Sequence, residues 1–358
     1  MFPISKQAAS RSSLHRIRIV NSLSKTNNFF SGTRPNHYLI RQMHSLPPIG
    51  KTFSVALVQL GYIGENKAKN LKHARLKISE AVRPSVNPGC NNNSSKPDIV
   101  VLPEVFNSPY SSKHFDKYAE VVGWHESKRD LWNLKRCPSE SIKMLSSAAK
   151  EENVWIFGGS IPERSPENPR IIYNSSPVFS PDGKLVALHR KLHLFDIDIP
   201  GGITFKESET LSPGQSPVTV VETPFGKIGL GICYDIRFPE MGIIATRKGC
   251  IAMIYPGAFN LTTGPLHWEL LQRARAVDNQ IYVITCSPAR DPQSDYQAWG
   301  HSSIIDPMAR VVSTTDETES IVYGIVDFDE IVKARTNIPI LNQKRYDVYP
   351  DIGSLVEL

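Results

Sequence analysis

Gly229-Leu230-Gly231-Ile232-Cys233-Tyr234-Asp235-Ile236-Arg237-Phe238-Pro239-Glu240 carries the strongest structural signal in this chain. An apolar, β-rich run ends in glycines at alternate positions, a cysteine follows, and a polar segment marked by proline comes next. The pattern predicts a buried strand that turns sharply into a helix with the thiol at the corner. Such a corner lifts a nucleophile clear of the backbone, and the glycines allow neighbouring backbone to approach closely. A thiol with an ordinary pKa near 8.5 is only about 3% thiolate at pH 7, a deficit of roughly 2 kcal/mol. Chemistry at Cys233 therefore calls for a base or a cation nearby.

Two upstream positions supply such groups. Glu104 follows the apolar run Val100-Val101-Leu102-Pro103, at the end of a predicted strand, where α/β proteins gather functional groups. Desolvation at that position raises a carboxylate pKa toward the range in which a general base works best at neutral pH. A lone Leu-Pro-Glu would otherwise read as a solvated loop carboxylate. Lys191 lies in His189-Arg190-Lys191-Leu192-His193-Leu194-Phe195-Asp196. Most lysines solubilise a surface, but one fixed near a thiol stabilises thiolate and donates to a developing oxyanion. His189, His193, His267 and His301 lack the context of a Cys-His dyad, and His267 and His301 read as structural or substrate-side.

From Thr52 onward, strand-like and helix-like stretches alternate. Strands are expected at 53–60, 98–102, 154–157, 250–255, 281–286 and 321–326, and hairpins at 171–179/184–189 and 302–305/311–313. Helices are expected at 66–83, 139–152, 239–247, 265–279 and 327–334. The Asn/Ser-rich stretch Asn87–Pro97 reads as a solvated insertion. The mixture implies one sheet-rich α/β unit with helices packed outside. There is no dinucleotide or Walker A motif.

The net charge of +6 is unevenly placed. Residues 1–50 hold seven of the 41 Lys/Arg and no acid, which leaves 34 against 35 Asp/Glu in residues 51–358. The basic character belongs to the leader and gives no support for nucleic-acid binding by the folded part. A leader rich in Ser and Arg and free of acids has the composition of a mitochondrial transit peptide or a disordered tail. Arg11, Arg18 and Lys25 recur at intervals of seven. Met43, just before the first core strand, offers a second start that would give a leaderless cytoplasmic form. No apolar run is long enough to span a bilayer. The five cysteines (Cys90, Cys137, Cys233, Cys250, Cys286) are odd in number, scattered and without zinc spacing, so neither a disulfide scaffold nor a metal site is expected. The expected organisation is a leader over 1–50, a catalytic domain over 51–350 and a tail over 351–358.

Glu in Leu-Pro-Glu, Lys in His-Arg-Lys-Leu-His-Leu-Phe-Asp and Cys in Gly-Ile-Cys-Tyr-Asp, in that order, resemble the nitrilase superfamily of carbon–nitrogen hydrolases over about residues 52–350. Leu102–Tyr110, Leu194–Gly201 and Gly264–Ala276 resemble its omega-amidase branch. The insertion at Asn87–Pro97 departs from shorter relatives but falls between elements. The resemblance implies a four-layer α-β-β-α sandwich that forms a homodimer. It implies Glu104 as general base, Lys191 as oxyanion stabiliser and proton donor, and Cys233 as nucleophile, with Glu207 matching a second family glutamate. The Tyr234 backbone N–H is the expected second oxyanion donor. No metal or organic cofactor is needed for a thioester route.

The omega-amidase resemblance further implies small dicarboxylate monoamides as substrates, alpha-ketoglutaramate and alpha-ketosuccinamate among them. Deaminated-glutathione amidase and N-carbamoyl hydrolase are alternatives within the superfamily, and a non-catalytic interaction protein on the same fold is another. The substrate's far carboxylate needs a cation or N–H donors. Arg237 is one candidate, or it braces the elbow by pairing with Asp235 or Glu240. Phe195 and Tyr110 either shape the pocket or are core aromatics. Arg273 and Arg275, on a predicted helix, read as structural.

Overall fold

The computed structural model describes residues 49–83, 96–200 and 204–352. The expected leader up to residue 48, the insertion through residue 95 and the tail beyond residue 352 lie outside the described residues. In chain order the first half forms β1 (Phe53–Gln59), α1 (Lys67–Ala81), β2 (Ile99–Val101), α2 (Ser112–Tyr118), α3 (Glu140–Glu152), β3 (Trp155–Phe157), β4 (Ile161–Arg164), β5 (Ile172–Phe179), β6 (Leu185–Arg190), β7 (Asp196–Asp198) and β8 (Thr204–Lys206). The second half forms β9 (Thr219–Thr223), β10 (Gly226–Leu230), α4 (Pro239–Arg247), β11 (Cys250–Pro256), α5 (Thr263–Asn279), β12 (Tyr282–Cys286), β13 (Ser303–Ile305), β14 (Val311–Thr314), β15 (Ser320–Val326) and α6 (Phe328–Asn337). No helix among the described residues is long and apolar enough to cross a membrane.

The strands make two large mixed sheets. One runs β15-β1-β2-β3-β5-β4 with β6 on the far edge of β5, and the other runs β14-β13-β12-β11-β10-β9. β1 shows why its sequence is apolar almost throughout. Phe53, Val55 and Leu57 face the second sheet and meet Ile228, Leu230, Ile254 and Ile284, while Ala56, Val58 and Leu60 face the helices outside. A strand buried on both faces loses the usual apolar–polar alternation. α1 and α3 cover the first sheet, and α4 and α5 cover the second. The layer order is therefore helix, sheet, sheet, helix, the four-layer α/β sandwich.

Local chemistry sets the element ends. Asn66 caps α1 by accepting the Lys69 N–H at 3.0 Å, and Ser139 caps α3 by accepting the Ile142 N–H at 3.1 Å. Each cap contributes about 1 kcal/mol. α3 presents Ile142, Leu145, Ala148 and Ala149 to the core, a helical stripe, and stops where Asn153 takes a left-handed conformation. Pro239 opens α4, where its missing N–H costs no hydrogen bond. The structure also contains elements absent from the sequence reading: α2, β4, the small β7–β8 hairpin, and β9 as the antiparallel partner of β10.

Candidate active site

Three strand ends converge on one buried cluster. Glu104 lies just past β2, Lys191 is the first residue after β6, and Cys233 follows β10. The Lys191 ammonium is fully buried and lies 3.0 Å from Glu104 Oε1 and 2.9 Å from Glu207 Oε2. Both carboxylates are buried and further held. Glu104 accepts from Asn174 Nδ2 at 2.9 Å and from the Ala258 N–H at 2.9 Å. Glu207 accepts from the Tyr110 hydroxyl and from the Phe195 N–H, each at 2.8 Å. Removing either carboxylate leaves Lys191 paired with the other, whereas removing Lys191 would leave two buried carboxylates without a counter-charge, a loss that typically costs about 3–5 kcal/mol.

The electrostatics are set by burial and by this one cation between two anions. Burial raises the Glu104 pKa and so does Glu207; the Lys191 charge opposes them, and the net result lies above the ordinary carboxylate range. Burial alone would depress the Lys191 ammonium, but Glu104 and Glu207 outweigh it and hold it above the ordinary lysine range. Burial and the Glu104 charge push the Cys233 thiol well up, against the pull of Lys191. The thiol beside Glu104 therefore holds its proton at rest. Thiolate forms only as that proton crosses to Glu104.

The corner at Cys233 differs from its sequence reading. The left-handed residue is Cys233 itself, at φ 46°, and it opens a short 3-10 turn (Cys233–Arg237) ahead of α4. Gly229 and Gly231 make room for side chains rather than backbone: a Cβ at these positions would lie 2.1 Å from Met253 Sδ and 2.5 Å from the Tyr255 ring. The close backbone approach occurs at Gly257, where a Cβ would lie 3.0 Å from the Cys233 Cα. Val105, next to Glu104, is also left-handed, at φ 50°. A β-branched residue there is an outlier whose cost the surroundings must overcome. The Val105 N–H is held by Ser160 Oγ at 2.9 Å.

Arg237 also departs from one expectation, because it pairs with neither Asp235 nor Glu240. Its Nη1 faces His267 Nδ1 at 3.2 Å, its guanidinium lies over the Phe259 and Tyr234 rings, and its buried Nε has no hydrogen-bond partner. Asp235 is instead bonded to His189 and His193. Arg275 is structural, donating to the carbonyls of Ile236 and Arg237. Arg273 donates to the Ala309 carbonyl and Glu269.

Aromatic rings surround the cluster. Tyr110, Phe205 and Tyr296 pack within 4.5–5.7 Å of one another, and Phe195 bridges to Tyr234 at 5.1 Å. Tyr110, Tyr296 and Ala258 line a cleft that reaches Glu104. Tyr110 lines that cleft and its hydroxyl holds Glu207, whereas Phe195 is a buried core ring whose backbone N–H holds Glu207. The sequence reading missed Asn174, Ala258, Phe205 and Tyr296. Asn174 had a visible signal, a polar amide within the buried strand Ile172-Tyr173-Asn174-Ser175. Its backbone carbonyl also accepts the Lys191 N–H at 2.8 Å, so one residue ties the carboxylate to the lysine.

The carbon–nitrogen hydrolase family model matches residues 54–336. The Saccharomyces cerevisiae omega-amidase NIT3 is 47% identical over 308 residues, covering 86% of this chain and 98% of that protein. The Mus musculus omega-amidase NIT2 is 48% identical over 298 residues, covering 83% and 97%. The crystal structure of Saccharomyces cerevisiae Nit3, a member of branch 10 of the nitrilase superfamily, superposes with a TM-score of 0.71 at 44% identity, covering 82% of this chain and 97% of that one.

Proposed function

This chain belongs to the carbon–nitrogen hydrolase family, and from that premise we propose that it is an omega-amidase, hydrolysing the terminal amide of small dicarboxylate monoamides such as alpha-ketoglutaramate and alpha-ketosuccinamate. The observation that carries the chemistry is the closed, buried Glu104–Lys191–Glu207 charge cluster beside the Cys233 thiol. Glu104 takes the thiol proton as Sγ bonds to the amide carbon. Lys191 Nζ and the Tyr234 N–H receive the oxyanion, a contribution worth about 10²–10³ in rate per donor. Protonated Glu104 then delivers its proton to the departing nitrogen, ammonia leaves, and a thioester remains. Water attacks this ester while Glu104 takes a proton from it, and collapse frees the acid and returns the thiol. Glu207 touches no reacting atom in this scheme; it holds Lys191 in place and in the charged state.

The substrate class is supported by the relatives' names and by Arg237. That guanidinium is partly buried, has no carboxylate within 4.0 Å among the described residues, and leaves Nε free. It suits the far carboxylate of a short diacid monoamide. Steady-state kinetics on alpha-ketoglutaramate and deaminated glutathione, side by side, test this assignment. The reading expects the higher kcat/KM for alpha-ketoglutaramate, and faster turnover of deaminated glutathione overturns it.

The assembly and address belong to the same proposal. Leu266, Leu270 and Val277 stand exposed along α5, an apolar stripe of the kind that marks an interface, and a second copy is the proposed occupant. Residues 1–50 are proposed to direct the chain to the mitochondrial matrix, with initiation at Met43 giving a cytoplasmic form.

A further inference from the structure

His189 and His193 stand two residues either side of Lys191, and the scheme above uses neither. Both point at one acceptor. Asp235, two residues past Cys233 and fully buried, takes His189 Nε2 at 3.3 Å on Oδ2, and the His193 N–H at 2.9 Å and Nδ1 at 2.8 Å on Oδ1. Its Oδ2 also accepts the Ile232 N–H at 2.9 Å, which closes the turn that holds Cys233 left-handed. Burial alone would raise this carboxyl, yet the donors from His189, His193 and Ile232 hold it well below the usual carboxylate range. An ionised carboxylate only accepts, so both imidazoles present N–H to it. His189 completes its bonding with Thr219 Oγ1 at 3.0 Å, and His193 stacks on Phe238 at 3.6 Å between ring centroids.

We propose that Asp235 is a positioning residue that fixes the separation of the Cys233 sulfur from the Lys191 ammonium by tying the nucleophile turn to both ends of the lysine segment. The proposal rests on the reading of Cys233 as nucleophile and Lys191 as oxyanion donor. Cys233 and Lys191 come from different sheets. The four hydrogen bonds of one carboxylate join their flanking backbones. The arrangement gives His189 and His193 a shared purpose as orienters of that carboxylate. Misplacement of reacting groups by about 1 Å costs on the order of 10²-fold in rate.

The test is Asp235→Asn, which keeps the shape but turns a hydrogen-bond donor toward at least one of the present donors. The expected result is a kcat on alpha-ketoglutaramate lower by about 30-fold or more with KM within about threefold. Cys233 alkylation by iodoacetamide is expected to change rate in the same full-length protein, a readout that is independent of the amide substrate. His193→Phe keeps the stack on Phe238 and removes one donor; it is expected to lower kcat several-fold, while His193→Asn, which restores a donor, recovers it. Unchanged kcat per folded molecule in Asp235→Asn overturns the proposal, as does equal activity of the two His193 variants. Should Asp235→Asn not fold, the His193 pair decides alone. If Cys233→Ala keeps activity, it is the catalytic reading that fails, and the alkylation rates still report whether Asp235 positions the sulfur.

Discussion

Glu104, Lys191 and Cys233 form a site because one buried cation, Lys191, is shared between two buried carboxylates, Glu104 and Glu207, with the thiol beside them. That arrangement has a pH signature. Glu104 works as a base only when ionised, and its pKa is raised above the ordinary value of 4.5 by burial and by the neighbouring Glu207 charge. As pH falls through that raised value the base is protonated, so the acid limb of kcat/KM is expected above pH 4.5. Glu207→Gln removes one of the charges that raises it, and the limb is expected to move to lower pH along with a fall in kcat, read from a pH–rate profile. A limb that stays put or moves upward contradicts this electrostatic account. At this scale the sequence was most informative where chemistry and local context coincide, as at Glu104, Lys191 and Cys233. It was silent on the N–H of Ala258, which meets Glu104 across 154 positions through a backbone group that carries no residue signature. It also left Arg237 open between the substrate's far carboxylate and a brace to Asp235 or Glu240, and the structure contains no such brace among the described residues.

The elements deliver these side chains by ending early. β2, β6 and β10 stop one to three residues before Glu104, Lys191 and Cys233, and the following turns aim each group into the gap where the strands end. After β2 the aim depends on left-handed Val105. A left-handed L-residue costs roughly 1–2 kcal/mol, which glycine avoids and alanine does not. Val105→Gly and Val105→Ala both delete a buried side chain, yet the glycine variant is expected to be the more stable by about 1 kcal/mol, the reverse of the usual order. Urea unfolding of the two variants checks this, and an alanine variant of equal or greater stability contradicts it. The long, strongly patterned elements were legible: α3 and α4 begin and end within a residue of their expected bounds. Short strands were legible where they are continuously apolar, as β2 and β3 are. β4 has four residues and β7 and β8 three each, too few for a periodic pattern, and they exist because a partner strand lies alongside.

At the scale of the whole molecule, two sheets share one apolar interior and each wears a helical layer, so the cluster is assembled from residues 104 to 258 across both sheets. Alternating strands and helices announced the class of fold, whereas the order of strands within each sheet followed from pairings between residues as distant as Phe53 and Val326, which no local pattern records. The exposed stripe on α5 gives the assembly prediction: Leu266→Glu with Leu270→Glu is expected to yield a monomer in sedimentation velocity, from a wild-type dimer, and an unchanged sedimentation coefficient contradicts it. The central claim, however, concerns one covalent bond. Rapid acid quenching during turnover of alpha-ketoglutaramate, followed by intact-mass and peptide mapping, tests it most directly. The account predicts an acyl adduct on Cys233 that accumulates in wild-type protein and is absent, together with activity, from Cys233→Ala. Turnover that persists in Cys233→Ala, or an adduct on another residue, would contradict it.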